Sequence, residues 1–140
     1  MIHVHILDTN IFLRTLIRED EKTFSDCLIF LELVKSNKIN AVLPGVVLSE
    51  IAWVLKSFYK FPKSKVHQAL KSILKLSGLK IVDNYDYEKT LKFFENKNVK
   101  YIDCLIASLA KDKNYTIVSY DKDFDKLKIK RLDPSDFRNL

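Results

Sequence analysis

The sequence predicts a three-layer α/β/α domain built on a central, mainly parallel sheet of about four or five strands. Short β-branched runs alternate with longer segments whose apolar residues recur at helical spacing, the pattern of βαβ units. The chain has 140 residues, 47% of them apolar, which at this length is enough to bury about two-thirds of the surface of the unfolded chain. Glycine and proline occupy only five positions, 2 and 3 respectively, and no composition shift marks a linker, so residues 1–140 are expected to form one domain.

Each element has a local reason. His3 to Leu7 reads as a strand and Asn10 to Ile17 as a short helix. Lys22 to Asn37 places Phe24, Cys27, Leu28, Leu31 and Val34 on one helical face. Ala41 to Leu43 is a second strand, and Pro44-Gly45 opens a helix reaching about Phe58, with Pro near the first helical position, where its missing N–H does no harm. Lys63 to Leu76 carries Val66, Leu70, Ile73 and Leu74 on one face and is stopped by Ser77-Gly78. Strand Lys80 to Val82, helices Tyr85 to Asn96 and Tyr101 to Lys113, and strand Thr116 to Ser119 follow. Lys128 to Leu132 is a candidate fifth strand, and Asp133-Pro134-Ser135 starts a last short turn.

Several classes are excluded. Charged residues make up 30% and no repeat or low-complexity tract occurs, which argues against disordered and fibrous classes. The start Met1-Ile2-His3-Val4-His5 has no basic n-region, so no signal peptide is expected, and no apolar window reaches the ~18 residues of a membrane span. The two cysteines, Cys27 and Cys104, have no C-x-x-C spacing and read as buried thiols in a reducing compartment. A soluble cytoplasmic protein is expected.

The informative residues are acids inside apolar segments. Asp8 is the only charge between Val4 and Leu13, Glu50 between Ala41 and Leu55, and Asp103 between Tyr101 and Ala110. A carboxylate buried alone costs several kcal/mol unless it is paired or binds a metal. Asp8 follows the first strand and Asp121 the fourth, the strand ends where open parallel sheets bind ligands. Glu50 and Asp103 lie on helices able to lean over the same edge. Four carboxylates so placed repel one another and need a divalent cation between them, and hard oxygen ligands suit Mg²⁺ or Mn²⁺. Such an ion acidifies its water and stabilises charge developing on a phosphate. Bland readings stand beside this one: Asp8 as a helix N-cap, Asp103 as a first-turn acid, and Asp121, Asp123 and Asp125 as an acidic turn. His3, His5 and His67 fall in no catalytic motif and read as structural or surface residues.

The order Ile6-Leu7-Asp8-Thr9-Asn10, Ser49-Glu50-Ile51, Tyr101-Ile102-Asp103-Cys104-Leu105-Ile106-Ala107 and Ser119-Tyr120-Asp121-Lys122-Asp123-Phe124 resembles the PIN-domain nucleases, in particular VapC-like toxins, over nearly the whole chain. The resemblance implies a PIN-like fold and a metal-dependent ribonuclease with one or two Mg²⁺ or Mn²⁺ ions. It implies that Asp8, Glu50, Asp103 and Asp121 are the catalytic and metal-binding acids, with Asp123 a further metal ligand and Asn10 and Ser119 polar supports beside them. Ser119 stands where the family more often has Thr. An RNA substrate, a homodimer and a cognate antitoxin protein are also implied.

From Ile51 to Val82 there are seven Lys and no acid, interleaved with Trp53, Phe58, Tyr59 and Phe61. Such a face can track a phosphate backbone while rings stack on unpaired bases, and Lys56, Lys60 and Lys63 are the expected RNA contacts. The same face can instead be a solvated surface or a protein interface. Other functions left open are a catalytically silent PIN-like module that binds RNA or protein, a housekeeping RNA-processing nuclease, and a phosphoryl-transfer enzyme using Asp8. The last is weakened by Asn10, where a second Asp would be needed.

Overall fold

Five strands and seven helices make up the computed structural model, which describes residues 3–111 and 113–140. The strands are β1 (Val4–Leu7), β2 (Asn40–Pro44), β3 (Leu79–Val82), β4 (Thr116–Val118) and β5 (Arg131–Leu132). Their order across the sheet is β3-β2-β1-β4-β5, and every pairing is parallel, with His5 opposite Ala41 and Ile6 opposite Ile117. The chain therefore winds outward from β1 to β3, then returns to the other side of β1 with β4. That reversal creates a crevice at the carboxyl ends of β1 and β4.

The helices are α1 (Thr9–Leu16), α2 (Glu21–Lys35), α3 (Gly45–Ser57), α4 (Lys63–Leu74), α5 (Tyr87–Asn96), α6 (Tyr101–Ala110) and α7 (Asp123–Lys126), with a closing 3-10 turn at Pro134–Phe137. Helices α1 to α4 pack against one another as one layer, and α5 to α7 form the other. In the centre, Ile6, Leu7, Leu43 and Ile117 are fully buried, each side chain contributing about 1.5–3 kcal/mol relative to exposure. Every residue of α6 from Asp103 to Ala110 is buried, as expected of a helix that is apolar all round.

Most segments match the sequence reading, and the differences have local causes. Pro44 ends β2 and caps α3 instead of lying inside it. Gly45 leaves room there for the Asp83 carboxylate, whose Oδ1 would lie 2.1 Å from a Cβ and would have to swing aside. The α4 stop is Gly78 at φ +84°, where a Cβ would meet the Val34 carbonyl oxygen at 2.2 Å. Helix α5 begins at Tyr87 because Asp86 accepts the Lys89 amide at 3.0 Å and serves as its cap. Tyr85 stays outside and its hydroxyl accepts the Val46 amide at 2.9 Å. The helix expected to reach Lys113 ends at Ala110; Asp112 on that stretch, and Met1 and Ile2 of the N-terminal reading, lie outside the described residues. The acidic turn after β4 closes into helix α7, and β5 shortens to two residues after Lys128 turns to φ 58°.

Candidate active site at the sheet switch point

The crevice above β1 and β4 has a volume of about 300 Å³ and is lined by Asp8, Asn10, Glu50, Asp103 and Asp121, together with Thr9, Leu13, Trp53, Val54, Phe58, Tyr59 and Lys100. Four acids separated by up to 113 positions in sequence thus meet in one place. A larger concavity, about 600 Å³, lies over β2 and β3 and has Asp83 as its one acid among the described residues; the convergent chemistry is in the smaller crevice.

Asp8 is both helix cap and site residue. It follows β1, is 4% exposed, and its Oδ1 accepts the Thr9 amide at 2.8 Å. Its Oδ2 accepts the Ser119 hydroxyl at 2.7 Å. Burial pushes the Asp8 pKa up, the Ser119 and Thr9 hydrogen bonds oppose that, and Glu50 and Asp121 add to the rise. Ser119 also accepts the Asp121 amide through the same Oγ at 2.9 Å, so one small side chain ties the ends of β1 and β4 together. Glu50, on α3, is half-buried and accepts the Thr9 hydroxyl. Thr9 was not among the residues the sequence singled out; its place between Asp8 and Asn10 is the only signal the sequence offers.

Asp103, on the first turn of α6, is the strained member. Its Oδ2 is buried with no hydrogen-bond partner among the described residues, and its pKa is pushed up to about 7. Burial is the main cause, the Asp8 charge adds to it, Lys100 opposes it, and Asp121 and Glu50 contribute less. Asp103, Asp121 and Asp123 each bring an oxygen within 4.8 Å of the other two. Asp121 Oδ1 accepts the Asp123 amide at 2.9 Å, and Asp123 is ion-paired with Lys126 at 3.0 Å. An unpartnered buried carboxylate oxygen facing other carboxylates is the donor set a hard divalent cation fits.

The remaining expected residues are placed as follows. Asn10 lines the crevice. Lys56, Lys60 and Lys63 are exposed on and between α3 and α4, but none lines the crevice; the cation that does is Lys100. His3 hydrogen-bonds Thr116 at 2.6 Å and His5 packs edge-on against Phe137 at 5.4 Å. No histidine lines the crevice.

The sequence model of the PIN domain family matches residues 5–130. The chain belongs to the PIN domain family. This PIN domain matches no curated protein in sequence. Among solved structures it is similar to a chain of VapBC2 from Rickettsia felis bound to a DNA fragment from its promoter, with TM-score 0.65 and 22% identity over 93% of this chain and 98% of that one. It is also similar to FitAcB from Neisseria gonorrhoeae, with TM-score 0.69 and 19% identity over 93% and 97%. A third similar structure is VapC20 from Mycobacterium tuberculosis, a sarcin-ricin loop cleaving toxin, with TM-score 0.64 and 12% identity over 89% and 95%. At these identities the likeness is one of fold, and the PIN domain here carries its acids on that fold's switch-point edge. No helix among the described residues is long and apolar enough to cross a membrane.

Proposed function

We propose that this PIN domain is a metal-dependent endoribonuclease, the toxin of a toxin-antitoxin pair, with Asp8, Glu50, Asp103 and Asp121 as its catalytic acids. The observation that carries the reading is the partnerless buried Oδ2 of Asp103 among the other crevice acids. Asp103, Asp121 and Asp123 are the residues that would hold Mg²⁺ or Mn²⁺, with Asp8 and Glu50 beside them. When bound, such an ion neutralises the clustered charge, acidifies water and stabilises charge growing on a phosphate during in-line attack.

The chain's own groups supply the rest. Ser119 and the Thr9 amide fix both oxygens of Asp8, and the Thr9 hydroxyl fixes Glu50. With no histidine in the crevice, half-exposed Glu50 is the carboxylate placed to take the water's proton and release it to solvent. Lys100 sets a positive charge at the rim for the phosphate. Trp53 and Phe58, 66% and 72% exposed, line the same crevice and offer stacking faces to unpaired bases. Phosphoryl transfer through Asp8 is disfavoured, because the second Asp that chemistry needs two positions on is Asn10 here.

The VapBC2 and FitAcB structures are named as two-part assemblies, which supports an antitoxin partner and a homodimer here. Trp53 and Phe58 form an apolar rim on which an antitoxin segment can lie while aiming an Arg or Lys at the acids. Both cysteines are free and buried, which fits a reducing compartment, and we place the protein in the cytoplasm.

The test is cleavage of a mixed RNA pool by purified chain with Mg²⁺ or Mn²⁺, abolished by EDTA and by Asp8→Asn, Glu50→Gln or Asp103→Asn. Full activity in any of the three variants removes that residue from the site. Expression of the wild-type chain alone is expected to arrest a bacterial host, and Asp8→Asn is not. Normal growth at high soluble expression with cleavage still measurable in vitro would point to a nuclease of restricted substrate.

A further inference from the structure

A second concavity, shallow and about 270 Å³ in volume, opens between α5, the end of α6 and the turn after α7. Among the described residues eight line it, five of them lysines, Lys92, Lys97, Lys111, Lys126 and Lys128, and none of the eight is acidic. All five are exposed. Lys126 is held by Asp123, whereas no ion pair joins the other four to a described residue. Like charges gathered in a concavity repel and focus a positive field, and an anionic ligand relieves both.

Two links tie the elements of this pocket to those of the acidic crevice. Lys97 lies three positions before Lys100, which lines the crevice. Asp123, of the carboxylate cluster, is ion-paired across α7 to Lys126, which lines the pocket. The four residues of α7 span about 6 Å, the axial length between its acidic start and its lysine-bearing end. Phe93, half-buried in the pocket wall, adds a ring face for a base. The lysines the sequence favoured, Lys56, Lys60 and Lys63, line neither concavity.

We propose that this lysine-lined pocket holds the phosphodiester backbone of the RNA strand flanking the cleavage site, so that the domain positions its substrate through α5, α6 and α7. The identity of the strand rests on the nuclease reading above. The pocket itself does not depend on catalysis.

The test is fluorescence anisotropy of a labelled, mixed-sequence, single-stranded oligoribonucleotide, with EDTA present so that nothing is cleaved. The quadruple variant K92Q/K97Q/K111Q/K128Q leaves Lys126 in place because it contacts Asp123. It is expected to bind at least about tenfold more weakly, with the slope of log K against log salt shallower by about 2 to 3, from about 0.7 per lost phosphate contact. K56Q/K60Q/K63Q is expected to change affinity and slope less than the quadruple variant does. Should the quadruple variant fold poorly by circular dichroism, the pairs K92Q/K97Q and K111Q/K128Q are each expected to give about half the change in slope. An unchanged affinity and slope overturns the proposal. So does a wild-type chain that binds no RNA, or a variant that loses binding to polyglutamate while keeping RNA, which would mark a docking face for an acidic protein. Wild-type binding that depends on the pocket, without metal-dependent cleavage, would instead overturn the nuclease reading alone.

Discussion

Replacing Asp103 by Asn should stabilise the metal-free protein, and by an amount that grows with pH. In the folded chain its carboxyl is raised from 3.8 to about 7, mainly by burial and then by the Asp8 charge, with Lys100 working the other way. A raised carboxyl pKa means that the folded state keeps a proton the unfolded state has already lost. Wild-type stability therefore falls as pH rises from about 4 to about 7, and the full cost persists above that. The difference corresponds to a ceiling of about 4 kcal/mol, and water reaching the crevice screens it to roughly 2–4 kcal/mol. Asn removes the charge, and its NH₂ can donate toward the neighbouring carboxylates from the position of the partnerless Oδ2. At about 3–4 °C per kcal/mol for a chain of this size, thermal melts in EDTA should show Asp103→Asn above wild type by roughly 10 °C at pH 8 and by little near pH 4. Saturating Mg²⁺ or Mn²⁺ should erase the difference by stabilising the wild type alone. A gain independent of pH, or a loss at pH 8, would refute the electrostatic account of this residue.

Three further outcomes are expected. Ser119→Ala removes the donor to Asp8 Oδ2 and the acceptor of the Asp121 amide, so urea titration should show a loss of about 1–3 kcal/mol, with Ser119→Thr restoring it. Thr9→Val frees Glu50, and titration calorimetry should show Mn²⁺ affinity down about 10–100-fold, as for other groups that orient metal ligands; unchanged affinity would place Glu50 outside the metal site. Asp26, 1% exposed, meets Lys22 at 2.8 Å and also Arg138; burial opposes its charge but the two cations outweigh it and hold its pKa below the usual range. The stability this contributes is present above the ordinary carboxylate pKa and is lost as pH falls through the lower folded value. Arg138→Ala should therefore cost about 1 kcal/mol at pH 7, because Arg138 is partly exposed and Lys22 still pairs the carboxylate, and less once acid protonates Asp26; equal losses at both would assign the effect to packing.

Asp8, Glu50 and Asp103 were legible because each stood alone among apolar residues, a placement the sequence displays directly, whereas Asp121 sits in a charged turn and stood out only by its place after the fourth strand. The strands were legible for the same kind of reason: β1, β2 and β4 are buried apolar runs bounded by polar turns. What the chain could not display were relations made only by folding. The lysine pocket is assembled from residues 92–97, Lys111 and residues 126–128, and no contiguous stretch announces it. The lysine run of α3 and α4 is contiguous and therefore conspicuous, yet its expected contacts lie outside the crevice. Strand β5 is two residues pairing with β4 at the sheet edge, a length at which pairing decides and local propensity does not.

The bland reading of Asp8 as a helix cap and the functional reading as a site acid turn out to be one arrangement. Capping uses Oδ1, which meets the Thr9 amide, while Oδ2 is held by Ser119 from the neighbouring strand. Thr9, the first residue of the capped helix, in turn passes its hydroxyl to Glu50 on α3. The start of α1 thus connects β1, β4 and α3, and any slip of that helix would move at least two of the four acids together. The fold holds these carboxylates close at a cost, since each raises the energy of the others. A cation bound only by the folded state returns that stability by mass action, about 2.7 kcal/mol at a hundredfold excess over Kd. Occupancy of the crevice and rigidity of α1 are therefore coupled, and adding Mg²⁺ or Mn²⁺ should slow amide exchange where that helix begins more than at the far edge of the sheet.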